Sequence, residues 1–426
     1  MMDVSEITAC VCDYGTFLDL AARLGETYKK VYFYSPFETE YQDVKKCVIG
    51  TGLPNVTRCD DYMDPEIVAE CDLYIFPDIA FQGHQKLLRS LGKAVWGSMG
   101  ASDLELYRTR FLDMLEEVGL PVAPSKTVVG LTALEKVLRS EKDRWIKVNR
   151  FRANTETFYH QDWEHSIPQM SYMRDEFGGV SEKIVFIVQE PIPDAVEVGY
   201  DGFSIDGKYP GKSFQGYELK NELYLGSWLE SDEMPEMVIR VNEAIAPVLK
   251  KLGYRNFIAS EIRDEFFIDI TPRHAGQTQE HLQRTMTNLP EVIWGGANGV
   301  LLEPEFSHKF AAEATLHYTA CDEDWKVLRV SEEAKQWVRL TGYCQDGDLY
   351  HFPPGTNDEV GVVIGMGDTI EEAIDDLKDH LELLDGEPVR AEIMGFAELL
   401  ETIKKAQGEG IHFTDGKIPK PASVLA

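Results

Sequence analysis

The stretch Phe257-Ile-Ala-Ser-Glu-Ile-Arg-Asp-Glu-Phe-Phe-Ile-Asp-Ile-Thr-Pro-Arg273 constrains the fold most, because it sets two carboxylates, a hydroxyl and a guanidinium into an otherwise apolar hairpin. Residues 257–262 and 266–270 read as strands around Arg263-Asp264-Glu265, and a three-residue loop would set Glu261, Asp269 and Thr271 on one face. Carboxylates among Phe257, Ile258, Phe266, Phe267 and Ile268 are costly to bury without a compensating cation. A hard ion such as Mg²⁺ takes oxygen ligands and keeps room for nucleotide phosphates, which makes Glu261, Asp269 and Thr271 candidate metal ligands. Arg273 is then a candidate bidentate fork for a phosphate or carboxylate. A solvated hairpin face with a surface ion pair carries the same pattern, and both readings stand at this point.

The chain of 426 residues has room for two or three domains, and its 43% hydrophobic and 27% charged composition is that of a globular protein. No apolar run reaches the length of a membrane span, and Met-Met-Asp-Val-Ser-Glu lacks the basic start and apolar core of a signal peptide, so a cytoplasmic protein without a membrane partner is expected. Seven cysteines without metal-type pairing point to reduced thiols, with Cys10 and Cys12 on one face of a strand. A net charge of -31 would repel a phosphate backbone and argues against a sequence-independent grip on nucleic acid.

Residues 1–97 alternate as a small open α/β sheet, with strands at Ile7–Cys12, Val31–Tyr34, Leu73–Phe76 and Ala94–Trp96 and helical spacing after Phe17 and near Gln85–Leu91. Ligands of such sheets sit beyond strand ends, here Asp13-Tyr14-Gly15 and Asp78 to His84, although both are also plain connections. Gly97 to Glu105 looks like a phosphate loop, but Ser102 with Glu105 is read as a capping box for a helix ending near Gly119. After Leu120-Pro-Val-Ala-Pro124, a helix over 132–138 precedes the strand 145–148.

In that strand Lys147 interrupts an apolar run, so it faces either a nucleotide phosphate or, as a snorkelling edge lysine, the solvent. The following Arg150-Phe-Arg152-Ala-Asn-Thr-Glu-Thr157 brings two guanidiniums and several donors, enough to cover a polyphosphate or to form an exposed turn. The strand 184–188 runs into Gln189-Glu190-Pro-Ile192-Pro193, an extended exit that suits an adenine slot read by backbone groups, and Glu197 is placed to take ribose hydroxyls. A meander over 198–205, 208–215 and 218–228 follows, with Asp206-Gly207 as a tight turn and Lys220 and Asn221 as polar insertions. Farther on, 360–364 with Gly365-Met-Gly-Asp-Thr369 resembles a dinucleotide loop without its third glycine, and Thr369 with Glu372 reads as a capping box for a helix through Leu384. The tail after Phe413 is expected to be loose.

In this order the pieces resemble the ATP-grasp superfamily, and within it the phosphoribosylamine-glycine ligases: a small α/β domain, the 97–124 helix and exit, the Lys147 strand, the Gln189-Glu190-Pro191-Ile192 hinge and the acidic hairpin. The family's Glu-Phe-Asn-x-Arg metal motif stands here as Asp269-Ile-Thr-Pro-Arg273. The resemblance implies a mixed α/β and α+β ATP-grasp fold with a pre-ATP-grasp α/β domain over 1–97, an ATP-grasp domain over 98–304 and a small carboxy-terminal α+β domain over 305–426. It implies ATP and Mg²⁺ as cofactors, with Arg108 and Lys147 on the phosphates, Glu190, Ile192 and Glu197 on adenine and ribose, Glu261, Asp269 and Thr271 on the metal, and Arg273 on an acyl phosphate. Three departures stand out: side chains from Asn149 to Asn154 replace the glycine-rich loop after the lysine, Thr271 replaces the metal asparagine, and Asp13-Tyr14-Gly15 replaces a glycine-rich substrate loop.

The resulting expectation is an ATP-dependent carboxylate–amine ligase, working through an acyl phosphate on unidentified small carboxylate and amine substrates, with a homodimer as the default assembly. Two rivals keep the ATP site: a ligase acting on a macromolecular acceptor, and a nucleotide-binding protein without turnover. A dinucleotide oxidoreductase would rest on fold analogy alone, since the glycine fingerprint is absent.

Overall fold

A computed structural model describes residues 3–36, 48–150, 157–192, 195–320, 324–354 and 358–424. Arg152, Pro193, Cys47 and Cys321 therefore lie outside the described residues. The first sheet is parallel and contains β1 (Thr8–Cys12), β2 (Lys30–Tyr34), β3 (Val56–Cys59), β4 (Leu73–Ile75) and β5 (Ala94–Trp96) in the order β3-β2-β1-β4-β5. The β3 strand and the Pro65–Glu70 helix add to the sequence expectation, because Val56-Thr-Arg-Cys59 is too short and too polar to show a period. Cys10 and Cys12 do share a face, their sulfurs 3.7 Å apart, and the five described cysteines are buried free thiols.

A four-stranded antiparallel sheet follows, formed by β6 (Ser125–Val129), β7 (Arg144–Val148), β8 (Thr157–His160) and β9 (Val185–Gln189) in the order β6-β9-β7-β8. Its inner face packs Ile146, Val148, Phe186 and Val188 against the Leu131–Leu138 and Trp163–Phe177 helices. The largest sheet has nine strands and runs through β14 (Phe266–Thr271), β13 (Arg255–Arg263), β10 (Glu197–Ile205), β11 (Lys212–Leu219), β12 (Leu223–Glu230) and β15 (Phe310–Tyr318) to Glu359–Gly367 and Val338–Leu340. Strands from both sides of residue 304 thus share one sheet.

Several local expectations need correction. Asp206 and Gly207 do make the tight turn, with φ of 51° and 78° and reciprocal Ile205 and Lys208 backbone bonds of 2.9 and 3.0 Å. The strands on either side are not simple hairpin partners, however, since β10 pairs along its whole length with β13. Lys220 and Asn221 occupy the turn between β11 and β12 rather than a strand interior, with Asn221 at φ 61°. Ser102 and Glu105 form no capping box: the helix breaks at extended Tyr107 into Ser102–Leu106 and Arg108–Val118, and the Ser102 hydroxyl donates to the Met99 carbonyl. By contrast, Thr369 and Glu372 make both bonds of the box that starts the Ile370–Glu382 helix. Gly365 and Gly367 serve that helix's close approach, since a Cβ on Gly365 would stand 2.3 Å from Leu377 N. The tail is packed, not loose, because Phe413 and Val424 are fully buried in the main core.

The first sheet meets the largest one at a joint around Trp96. Trp96 is fully buried against Phe257 and Phe203, with ring centroids 5.2 and 6.0 Å away, and Gly97 exchanges backbone bonds with Arg255. Buried Asn256 donates to the Phe76 carbonyl at 3.0 Å and the Ser98 hydroxyl at 2.9 Å, and Ser98 in turn donates to the Pro272 carbonyl at 2.5 Å. The segment that looks like a phosphate loop is therefore a joint. Asn256→Ala should strand two buried acceptors and lower stability by about 2 kcal/mol in urea unfolding; an unchanged midpoint would show that the joint carries no load.

Candidate active site

The acidic hairpin is built by a register shift. Asp264 and Glu265 form a two-residue turn, Asp264 at φ 54°, so Arg263 faces Phe266 and Ile262 faces Phe267. Continued without interruption, that register would set Glu261 opposite Ile268 and turn Asp269 toward the core. A bulge at Ile268 inserts one residue, after which Glu261 faces Asp269 and Ala259 faces Thr271. The expected three-residue loop is thus replaced by a shorter turn plus a bulge, with the same facial outcome. Ile258, Ile262, Phe267 and Ile270 occupy the opposite face and are buried in a core with the Arg108–Val118 and Glu236–Leu252 helices.

Glu261, Asp269 and Thr271 line a cleft of about 1220 Å³ between the four-stranded and nine-stranded sheets, more than the roughly 300–1,000 Å³ of a single-ligand pocket. Burial raises the Glu261 carboxyl well above its ordinary range, and the neighbouring Asp269, Glu197 and Glu218 carboxylates add to the effect. Asp269 accepts from Arg108 Nη1 at 2.7 Å. Arg108 itself is fixed by β7: the Asn149 carbonyl takes its backbone N–H at 2.9 Å, and the Asn149 side chain takes that of Thr109 at 2.8 Å. Asn149 thereby caps the helix from another element and ties it to the strand that carries Lys147.

Lys147 projects into the same cleft, and its ammonium has no hydrogen-bond or ion-pair partner among the described residues. Burial pushes it down to about 8, helped by Arg108 and opposed by Asp269 and Glu261. Beside it an apolar crevice of about 20 Å³ is lined by Phe111, Leu115, Ala123, Ile187, Ile192 and Phe267. Ile192 belongs to both cavities. Glu190 lines the cleft with its carboxylate 3.5 Å from Arg144, and Glu197 lines it while accepting from Arg263 at 2.7 Å. Arg150 is not brought in: it is exposed over the Tyr107 ring at 5.5 Å and does not line the cleft.

Arg273 lines the cleft, but its fork is engaged. Nε and Nη2 both donate to Glu105 at 3.0 Å, Nη1 donates to the His274 carbonyl at 2.8 Å, and Asp78 lies 3.7 Å from Nε. Sequence reasoning misses Glu105 as a site residue, since its partner lies 168 positions away. It misses Arg339 as well. Arg339 sits at the centre of the apolar strand Val338–Leu340, the same signal that singles out Lys147, and it lines the cleft with Nε buried and unpartnered. Glu280 lines the cleft with its carboxyl pushed up to about 8 by burial and by Asp19.

No family model matches this chain, and no curated protein does. Solved structures do match. Phosphoribosylamine-glycine ligase from Thermotoga maritima aligns at TM-score 0.64 and 14% identity over 90% of this chain and 99% of that one. The biotin carboxylase domain of Hydrogenobacter thermophilus 2-oxoglutarate carboxylase, crystallised with MgADP and bicarbonate, gives 0.63 and 12% over 96% of each. N5-carboxyaminoimidazole ribonucleotide synthetase from Thermus thermophilus gives 0.58 and 14% over 89% and 99%. The chain has the ATP-grasp fold. Within that ATP-grasp architecture no described helix is long and apolar enough to cross a membrane.

The donor set fits a hard divalent cation. Among the described residues no three acidic, histidine or cysteine side chains gather around one point, but Glu261 and Asp269 are direct cross-strand partners with the Thr271 hydroxyl on their face. Two carboxylates with the remaining positions left to phosphate and water is how Mg²⁺ is commonly held. The raised Glu261 carboxyl binds a proton more tightly folded than unfolded, so its contribution to stability is complete below about pH 4 and is lost as pH rises toward the alkaline side. The metal-free protein should therefore melt lower at alkaline than at mildly acidic pH. Mg²⁺ should restore more of the loss at the alkaline end, and Glu261→Gln should remove the Mg²⁺ response; a response that survives in Glu261→Gln would place the ion elsewhere.

Proposed function

We propose that the protein is an ATP- and Mg²⁺-dependent carboxylate–amine ligase. A substrate carboxylate oxygen attacks the γ-phosphorus, the bond to the β,γ-bridging oxygen breaks, and ADP leaves with the electron pair. The amine nitrogen then attacks the acyl carbon, the carbon–oxygen bond to phosphate breaks, phosphate leaves, and nitrogen sheds a proton. The observation that carries this reading is the convergence of Lys147 and Arg108 with Glu261 and Asp269 on one cleft. Phosphoryl transfer asks a protein mainly for positioning and charge neutralisation, and no side-chain nucleophile is needed.

Each residue then has a physical task. Lys147, protonated below its pKa of about 8, pairs with the phosphates, and Arg108 steadies both the phosphates and Asp269. Glu261 and Asp269, with Thr271 behind them, hold Mg²⁺, which when bound neutralises charge on the transferring phosphoryl group. The Glu190 N–H is already donated to the Pro124 carbonyl at 2.9 Å, which leaves the Glu190 carbonyl and the Ile192 N–H to read adenine beside the apolar crevice. Glu197 takes the ribose hydroxyls. Arg273 exchanges part of its Glu105 contact for the acyl phosphate.

The MgADP complex of the Hydrogenobacter biotin carboxylase domain, and the ADP complexes of N5-carboxyaminoimidazole ribonucleotide synthetases, support the nucleotide and the ion. One observation favours a second reading, a nucleotide-binding protein without turnover: the Arg273 fork is already filled by Glu105. Phosphate release separates the two. With a matched carboxylate and amine, the wild type should release phosphate from ATP, and Lys147→Ala or Asp269→Ala should lower turnover by roughly a hundredfold or more. Near-normal release in either variant contradicts the assignment, and nucleotide binding without release under any pair favours the second reading.

A further inference from the structure

Four strands of the first sheet deliver an aromatic ring to the same end: Tyr14 follows β1, Tyr34 closes β2, Tyr62 follows β3 and Phe81 follows β4. Tyr14 lies nearly flat on Phe81, with centroids 5.3 Å apart and planes at 16°. Phe81 meets Tyr62 at 5.6 Å and Tyr34 at 6.0 Å, both edge to face. Tyr62 is buried and serves as core, but Tyr14 is 56% exposed and Tyr34 and Phe81 are half-buried, so the cluster keeps an open aromatic face. Phe81 holds φ 64°, a left-handed conformation unfavourable for a bulky side chain, and that backbone directs its ring under Tyr14.

The wall stands where strand order reverses between β1 and β4, the place at which open α/β sheets take ligands. It also borders the proposed reaction centre. Asp78, three positions before Phe81, lies 3.7 Å from Arg273 Nε. Asp13, directly before Tyr14, accepts from the Gly15 and Phe17 N–H groups with one oxygen and keeps the other buried without a hydrogen-bond partner. Asp78 thus stands between an exposed stacking surface and the guanidinium assigned to the acyl phosphate, while Asp13 is buried and fixes the loop that carries Tyr14.

We propose that this strand-end wall binds the amine substrate of the ligase and selects one whose charged amino group is carried on a short saturated arm of a flat aromatic ring. The ring lies against Tyr14 and Phe81, and the ammonium points toward Asp78, where it gives up a proton before the neutral amine attacks the acyl phosphate at Arg273. Aromatic faces attract flat rings through offset stacking and cations through their quadrupole, whereas a saturated ring of equal size gains only area burial. The inference rests on the ligase reading for the identity of this ligand as the amine.

Benzylamine and cyclohexylmethylamine share charge and size and differ in the π face, which makes them suitable probes. In calorimetric titrations of the full chain near neutral pH without nucleotide, benzylamine should bind about tenfold more tightly. Tyr14→Ala should bring the two probes to parity while leaving binding of a non-hydrolysable ATP analogue unchanged. Phe81→Gly, which keeps the left-handed backbone and removes the ring, should do the same. Equal affinity of the two probes on the wild type, an unchanged preference in Tyr14→Ala, or no binding of either at millimolar concentration overturns the proposal. Because no ATP is consumed, failure of the ligase reading would appear separately, as absence of phosphate release with a benzylamine preference still present.

Discussion

The register of one hairpin decides whether this cleft has any chemistry. Ile258, Ile262, Phe267 and Ile270 each gain roughly 2 kcal/mol from burial, and together they hold the Arg255–Arg263 and Phe266–Thr271 strands in place. The two-residue turn alone would have sent Asp269 into that core. The extra residue at Ile268 turns it out again, opposite Glu261, so the acidic face is a by-product of apolar packing on the other side. Two adjacent carboxylates are tolerated because the buried face stabilises the hairpin independently.

Across the cleft the balance runs the other way. Burial pushes Lys147 down and Glu261 up, so both groups are driven toward neutrality while facing one space. A polyphosphate beside Lys147 and a divalent ion beside Glu261 would relieve both at once, and Arg108 alone bridges only Asp269. Asn149 holds the cationic strand to the helix bearing Arg108, which makes the spacing of the two charged walls a property of the fold rather than of side-chain chance. A ligand that completes this balance is bound more tightly than its contacts alone would give.

Much of this is legible in the sequence because it rests on local pattern. Period-two alternation marks the hairpin, a lysine breaks an otherwise apolar strand, and Thr369 with Glu372 supplies a cap that forms as read. What escapes depends on distant partners. Ser102 and Glu105 have the spacing of a capping box, but Ser102 is already helical, continuing the Met99–Ala101 turn, and Glu105 instead holds Arg273 in a bidentate ion pair. The bulge at Ile268 leaves no mark in a run of apolar residues, and the packing of the tail around Phe413 and Val424 depends on a core assembled from the rest of the chain. Arg339 is readable by the same logic as Lys147, since it too interrupts a short apolar strand.

The central claim is that a triphosphate and its divalent ion are held between the Lys147 strand and the Glu261–Asp269 face. Crystals grown with a non-hydrolysable ATP analogue and Mn²⁺ test it directly through the anomalous signal of the ion. The account predicts one anomalous peak within coordination distance of Glu261 and Asp269, with Lys147 Nζ hydrogen-bonded to a phosphate oxygen. A nucleotide lodged elsewhere, or a metal peak that touches neither carboxylate, would contradict it.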